Sequence, residues 1–179
     1  MIIEKAQSAE KIVRLKGGDP FMFGRGGEEA EALVEKGIEF EVVPGVSSAI
    51  AAPMYAGIPL THRDYASSVA FITGHRAGEG ERVIDWAKIA AAVDTMVILM
   101  GVESLDEIAA KLLEGGVSPD KPVAIVEWGT YKQQRTLISK LGTIVKEAQA
   151  KQFKPPSVIV IGEVANLGRK LAWFKKPLT

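Results

Sequence analysis

The chain has no cysteine, only two histidines and no excess of either charge: 22 basic side chains stand against 22 acidic ones. Without cysteine there are no disulfides, no thiolate metal ligands and no cysteine nucleophile, which fits a reducing compartment. Two histidines alone do not build a zinc site. The balanced charge argues against nucleic acid, whose phosphates require a basic surface. Lys175 and Lys176 read as a solvated tail, and the three tryptophans are not interleaved with basic residues as a stacking platform would need. Glu4, Lys5, Glu10 and Lys11 interrupt any apolar stretch at the start, and no later run reaches the ~18 apolar residues of a membrane span. These absences lead us to expect a soluble, cytoplasmic protein.

What the chain does have is glycine in clusters. Residues 15–29 read LKGGDPFMFGRGGEE, with five glycines, a proline and an aspartate between a short apolar run and a helix-forming one. Glycine tolerates positive φ and lets another molecule approach the backbone, so Gly17-Gly18-Asp19-Pro20 suits a small polar ligand held by main-chain groups, with the Asp19 carboxylate beside it. A tight turn before a helix explains the loop equally well when it is taken alone. A second dense stretch, residues 42–69, reads VVPGVSSAIAAPMYAGIPLTHRDYASSV.

With 179 residues, 47% of them hydrophobic, the chain can form one ample core or two small domains. Residues 1–9 have helical spacing and 11–15 form a compact strand. Residues 28–36 are an amphipathic helix stopped by Gly37, and 40–43 a second strand, which together make one βαβ unit. Pro44 and Gly45 end that strand, and Ser47 or Ser48 caps an alanine-rich helix over 49–55. From there the chain alternates: strand 68–73, helix 85–93, strand 95–100, helix 105–113, strands 123–127 and 134–139, helix 141–150 and strand 157–162. Five strand ends carry Gly17-Gly18-Asp19, Pro44-Gly45, Thr73-Gly74-His75, Met100-Gly101 and Trp128-Gly129-Thr130. Ligands of open α/β sheets gather beyond the carboxyl ends of strands, and the set is more persuasive than any single glycine, which is an ordinary turn residue.

Taken together, RLKGGDPFMFGRGGEE, the 42–69 stretch, ITGH, ILMG, VEWGT and SVIVIGEV resemble, in order, the motifs of the tetrapyrrole methylases, in particular the uroporphyrinogen-III C-methyltransferase family. The resemblance implies an α/β fold of two domains with the ligand cleft between them. It places a remainder of the N-terminal domain at 1–45, an interdomain helix and linker at 46–64 and a C-terminal domain at 65–179. It also implies that a first glycine-rich loop of GAGPGDP type precedes Met1, so that the N-terminal domain here is incomplete.

The activity implied is S-adenosylmethionine-dependent C-methylation of uroporphyrinogen III to precorrin-2, on the way to sirohaem or cobalamin, with S-adenosylhomocysteine as product. Main-chain groups of Gly17, Gly18 and Asp19 would hold the amino-acid part of the donor, with Met22 as an apolar wall and Ser47 and Ser48 beside it. Met100 and Gly129 would close on the adenosine; without the resemblance, Met100 reads as a core residue. The polycarboxylate substrate calls for cationic and hydrogen-bonding side chains. Arg25, His62 and Arg63 are the candidates, with Tyr65, His75 and Arg76 nearby and a surface ion pair as the plain alternative for each arginine.

The family's acid and base fall in the preceding segment, so no catalytic residue is assigned. Glu28 and Glu29, at a helix start, complement its positive end. We therefore expect impaired activity from this stretch alone. The alternative is a non-catalytic fragment keeping a C-terminal domain and a dimer surface; the family implies a homodimer. A phosphate-binding enzyme is disfavoured, since no Gly-Lys-Ser/Thr follows the loop.

Overall fold

The computed structural model of the chain describes residues 2–74 and 84–174. It divides into two compact units, Met1–Ser47 and Ser48–Thr179.

The first unit holds two helices, α1 (Ile2–Ala6) and α2 (Gly26–Val34), joined by irregular chain. The strands expected at 11–15 and 40–43 are not formed. A strand persists as part of a ladder, and neither run has a neighbour to pair with, so apolar content alone does not make one. The βαβ reading of this region is thereby corrected to loop, helix and loop. Among the described residues of this unit only Gly26 and Ser47 are buried, and Val13, Leu15, Phe21, Val43 and Val46 are more than half exposed. Helix α2 opens two residues earlier than its amphipathic pattern suggests, because Gly26 N donates to Pro20 O at 2.9 Å. It closes with Gly37 at φ 64°, where Gly37 N reaches Val34 O and Ile38 N reaches Leu33 O.

The second unit is a five-stranded mixed sheet between helices. Its strands are β1 (Val69–Thr73), β2 (Thr95–Leu99), β3 (Pro122–Glu127), β4 (Arg135–Lys140) and β5 (Ser157–Ile161), in the order β1-β2-β5-β3-β4. Strands β1 and β2 run parallel, whereas β5 runs antiparallel to both β2 and β3. It follows that β1, β2 and β3 point the same way and end at one edge.

Side-chain alternation along these strands sorts residues to two faces. Met96, Ile98, Val123, Ile125, Ile159 and Ile161 join one core with Trp86 of α4 (Trp86–Ala92), Ile108 and Leu112 of α5 (Leu105–Glu114), and Ile144 of α6 (Leu141–Ala150). Val97, Leu99, Ala124, Val126, Val158 and Val160 form the other, with Ala49, Ala52 and Ala56 from and just beyond α3 (Ser48–Tyr55), and Val164 and Ala165 from a 3-10 helix. Small residues on both sides let α3 lie close to the sheet. A short α7 (Gly168–Leu171) follows, and Gly57, at φ 72°, packs on the Leu171 and Ala172 backbone. No helix among the described residues is long and apolar enough to cross a membrane.

The far edge of the sheet is stapled by Asp94, whose Oδ2 accepts from the N–H and hydroxyl of both Ser67 and Ser68 at 2.8–3.1 Å. These donors, Ser67 N–H foremost, hold its carboxyl at about 2, below its ordinary 3.8. A folded-state value below the unfolded one means that the stabilisation is complete above pH 4 and is lost as pH falls toward 2. Asp94→Asn should therefore lower Tm at neutral pH, with the gap from the unsubstituted chain closing between pH 4 and 2 in a thermal series. A pH-independent gap would contradict this.

Candidate functional site

In the first unit the site candidate is the loop between residue 16 and α2. The Asp19 carboxylate is consumed by the loop itself: Oδ1 accepts from Phe21 N and Met22 N, both at 2.9 Å, and Oδ2 from Gly45 N at 3.3 Å. These amide donors, Phe21 first and Gly45 second, pull its carboxyl below the usual range, so it stays an anion at neutral pH. The Asp19 side chain therefore locks the two glycine-bearing stretches together. The lock is tight because Gly45 has no side chain: a Cβ there would lie 2.5 Å from Gly18 O. Gly18 itself sits at φ 132°, a conformation glycine alone adopts readily. Gly17 differs from both, because a Cβ would meet nothing within 4 Å and no fold constraint demands glycine there. Among the described residues no hydrogen bond engages the main chain of Gly17, Gly18 or Asp19; Gly17 is exposed, whereas Gly45 covers one side of the Gly18–Asp19 peptide.

The other candidates of this unit are distributed around the loop. Met22 is half-buried, and Ser47 is buried just ahead of the first residue of α3. Arg25 sits in the left-handed region at φ 57°, its Nε 3.2 Å from Glu28 Oε1 in an exposed pair. Glu29 takes Arg14 Nε at 3.1 Å and Lys16 Nζ at 2.7 Å. Both carboxylates lie in the first turn of α2, as expected for groups that complement the helix end, and they also anchor cations of the preceding loop.

In the second unit the shared edge carries Gly74, Met100-Gly101 and Trp128-Gly129-Thr130. Met100 has φ 54° and is 54% exposed; Trp128 and Thr130 have φ 49° and 74°. Three non-glycine residues in the left-handed region at one edge store strain of roughly 1–2 kcal/mol each, a pattern that concentrates at functional sites. Met100 is thus no core residue: its backbone turns the side chain out of the sheet. The glycines beside these residues serve packing. A Cβ on Gly74 would lie 2.4 Å from Gly101 Cα, and one on Gly129 2.3 Å from Ala52 Cβ of α3. Ser48, the first residue of α3, is exposed.

His62 and Arg63 occupy a tight turn closed by His62 N donating to Ala66 O and Ala66 N to His62 O, both at 2.9 Å. Asp64 N donates to His62 Nδ1 at 3.1 Å, which assigns the ring proton to Nε2. The ring packs against that of Tyr65 at a tilt of 37°, with centroids 4.8 Å apart. Arg63 is exposed and has no ion pair or hydrogen bond among the described residues. His75 and Arg76 lie outside the described residues, and no group of three or more acidic, histidine or cysteine side chains that could hold a metal occurs within them. Glycine count alone did not separate glycines required by packing from those that are not; contacts in space did. The strained Trp128 and Thr130 went unread because nothing in residue type announces positive φ.

Glycines and strained residues at the carboxyl ends of co-directional strands, together with a glycine-rich loop in the other unit, are the features of an α/β protein of the small-molecule-binding class. The chain belongs to the tetrapyrrole (corrin/porphyrin) methylases, whose family profile matches residues 1–145. It is 50% identical over 165 residues to the uroporphyrinogen-III C-methyltransferase of Priestia megaterium, covering 92% of this chain and 69% of that one. It is 49% identical over 168 residues to the S-adenosyl-L-methionine-dependent uroporphyrinogen III methyltransferase of Methanosarcina barkeri, covering 93% and 66%. Among solved structures, the Thermus thermophilus uroporphyrin-III C-methyl transferase complexed with S-adenyl homocysteine superposes with a TM-score of 0.78 at 38% identity, over 93% of this chain and 72% of that one.

The two kinds of glycine give opposite expectations for one substitution. Gly129→Ala forces a methyl into Ala52 and should lower Tm by roughly 2–12 °C, whereas Gly17→Ala should leave Tm unchanged or slightly raised. Equal effects in thermal denaturation would contradict the distinction.

Proposed function

We propose that the chain catalyses S-adenosylmethionine-dependent C-methylation of uroporphyrinogen III to precorrin-2, the tetrapyrrole from which sirohaem and cobalamin are made. The observation that carries this reading is the backbone of Gly17, Gly18 and Asp19, left unengaged while the Asp19 carboxylate and Gly45 hold it in place. The methyltransferase relatives support it.

The donor supplies a methyl group on a sulfonium with a neutral thioether as leaving group, so the protein's work is alignment. We assign the amino-acid end of the donor to main-chain groups of Gly17, Gly18 and Asp19, with Met22, Ser47 and Ser48 alongside. The adenosine falls to Met100, whose left-handed backbone exposes a polarisable side chain, and to the Gly129 loop. Substrate carboxylates fall to Arg63, to the Nε2–H of His62 and to Arg25, which exchanges its exposed pair with Glu28 for a substrate anion at little cost. The methylated pyrrole carbon must lose a proton, and no residue described here is assigned as its acceptor.

The division into 1–45, 46–64 and 65–179 belongs to the same proposal, although α3 packs with the sheet of the second unit. A cytoplasmic homodimer does as well. It draws support from Ile50 and Met54, one turn apart on α3, and from Trp173, each about half exposed, with Trp173 Nε1 donating to Met54 O at 3.0 Å.

Titration calorimetry of the full chain with S-adenosylhomocysteine tests the reading. Binding is expected. Gly17→Ala should weaken it about tenfold or more with Tm unchanged, because an added methyl obstructs only a ligand that lies against that backbone. Arg63→Ala should raise KM for the tetrapyrrole roughly fivefold and leave donor affinity intact. No binding heat, or a Gly17→Ala variant that binds normally, would contradict the donor site.

A further inference from the structure

Gln134 is 3% exposed, and both ends of its carboxamide are used. Its Oε1 accepts from Thr130 N at 2.8 Å, and its Nε2 donates to Tyr55 O, in the last turn of α3, at 3.2 Å. Only one orientation of the amide satisfies a donor on one side and an acceptor on the other, so the side chain is fixed by its partners. Its own N–H closes the loop on Tyr131 O at 2.9 Å.

The loop it holds needs holding. Trp128 and Thr130 flank Gly129 with φ of 49° and 74°, and non-glycine residues keep such values only where surrounding contacts over-determine them. Trp128 N is tied to Pro156 O at 3.0 Å, and Gly129 rests against Ala52. Thr130 N–H is tied to Gln134. Without that acceptor the N–H of Thr130, itself an exposed residue, loses its hydrogen bond to the protein and the second left-handed residue loses its support.

We infer that Gln134 is a positioning residue for the donor: by fixing Thr130 it sets the backbone of Gly129 at the strand-end edge that also presents Met100. This inference rests on the donor reading given under Proposed function. The bond to Thr130 carries the effect, and the bond to Tyr55 orients the amide that makes it.

Gln134→Met, of similar volume, removes both hydrogen bonds; Gln134→Glu keeps an oxygen for Thr130 and loses the donor to Tyr55. In the folded full chain, well below Tm, Gln134→Met should raise the Kd for S-adenosylhomocysteine about tenfold or more, since small misplacements of a binding loop have effects of this size. KM for the donor should rise in step, while KM for the tetrapyrrole changes less than about twofold. Gln134→Glu should stay within about threefold of the unsubstituted chain, with the Thr130 amide still protected from hydrogen exchange.

A purely structural Gln134 would lower Tm in both variants and leave Kd and the KM ratio unmoved, which would overturn the inference. Should Gln134→Met not fold, Gln134→Glu decides: donor affinity lost while Thr130 remains protected overturns it, and affinity that follows Thr130 protection upholds it. Absence of binding by the unsubstituted chain would overturn the donor reading first, and this inference with it, before any substitution is made.

Discussion

Strand β5 is the constraint on which the second unit depends. Four of its five residues, Val158 to Ile161, are buried, and it pairs antiparallel with β2 on one side and β3 on the other. Two antiparallel pairings through one strand make its neighbours co-directional, so β2 and β3, together with β1 parallel to β2, release their chains at one edge. Alternation along β5 also serves both cores: Ile159 and Ile161 face α4, α5 and α6, and Val158 and Val160 face α3. The strained residues Met100 and Trp128 follow from this topology, since each is the first residue after a buried strand that must turn at the same edge.

Close backbone approach recurs as the means of shaping both candidate loops. In the first unit Gly45 lies against Gly18, and the Asp19 carboxylate accepts from the amides of Phe21, Met22 and Gly45. In the second, Gly74 lies against Gly101 and Gly129 against Ala52. The contacts are short because no Cβ intervenes. Gly17, like Gly27, is a glycine for which packing provides no reason.

The second unit was largely legible in the sequence. Continuous apolar runs such as 95–99 and 157–161 are long enough for buried strands and too short for helices, and helix Leu141–Ala150 was read with the bounds it has. Strand β4 begins at Arg135 because Gln134 is spent on the loop, a tertiary role that no local pattern reveals. In the first unit, residues 11–15 and 40–43 have strand composition, but composition does not supply a pairing partner. Of the site, the glycine stretches were visible as motifs. The division of labour within them was not: that the Asp19 carboxylate is structural, that Gly129 is a packing glycine, and that Met100 points outward all depend on φ angles and on neighbours distant in sequence.

The central claim is the proposal that main-chain groups of Gly17, Gly18 and Asp19 hold the methyl donor. Amide chemical shifts of the uniformly labelled full chain, recorded during titration with S-adenosylhomocysteine, test it residue by residue. The account predicts saturable shifts largest at Gly17, Gly18 and Asp19, accompanied by shifts at Met100 and Gly129, with the amides of β4 and α6 unmoved. Saturable shifts that leave residues 17–19 unperturbed, or no shifts at all, would contradict it.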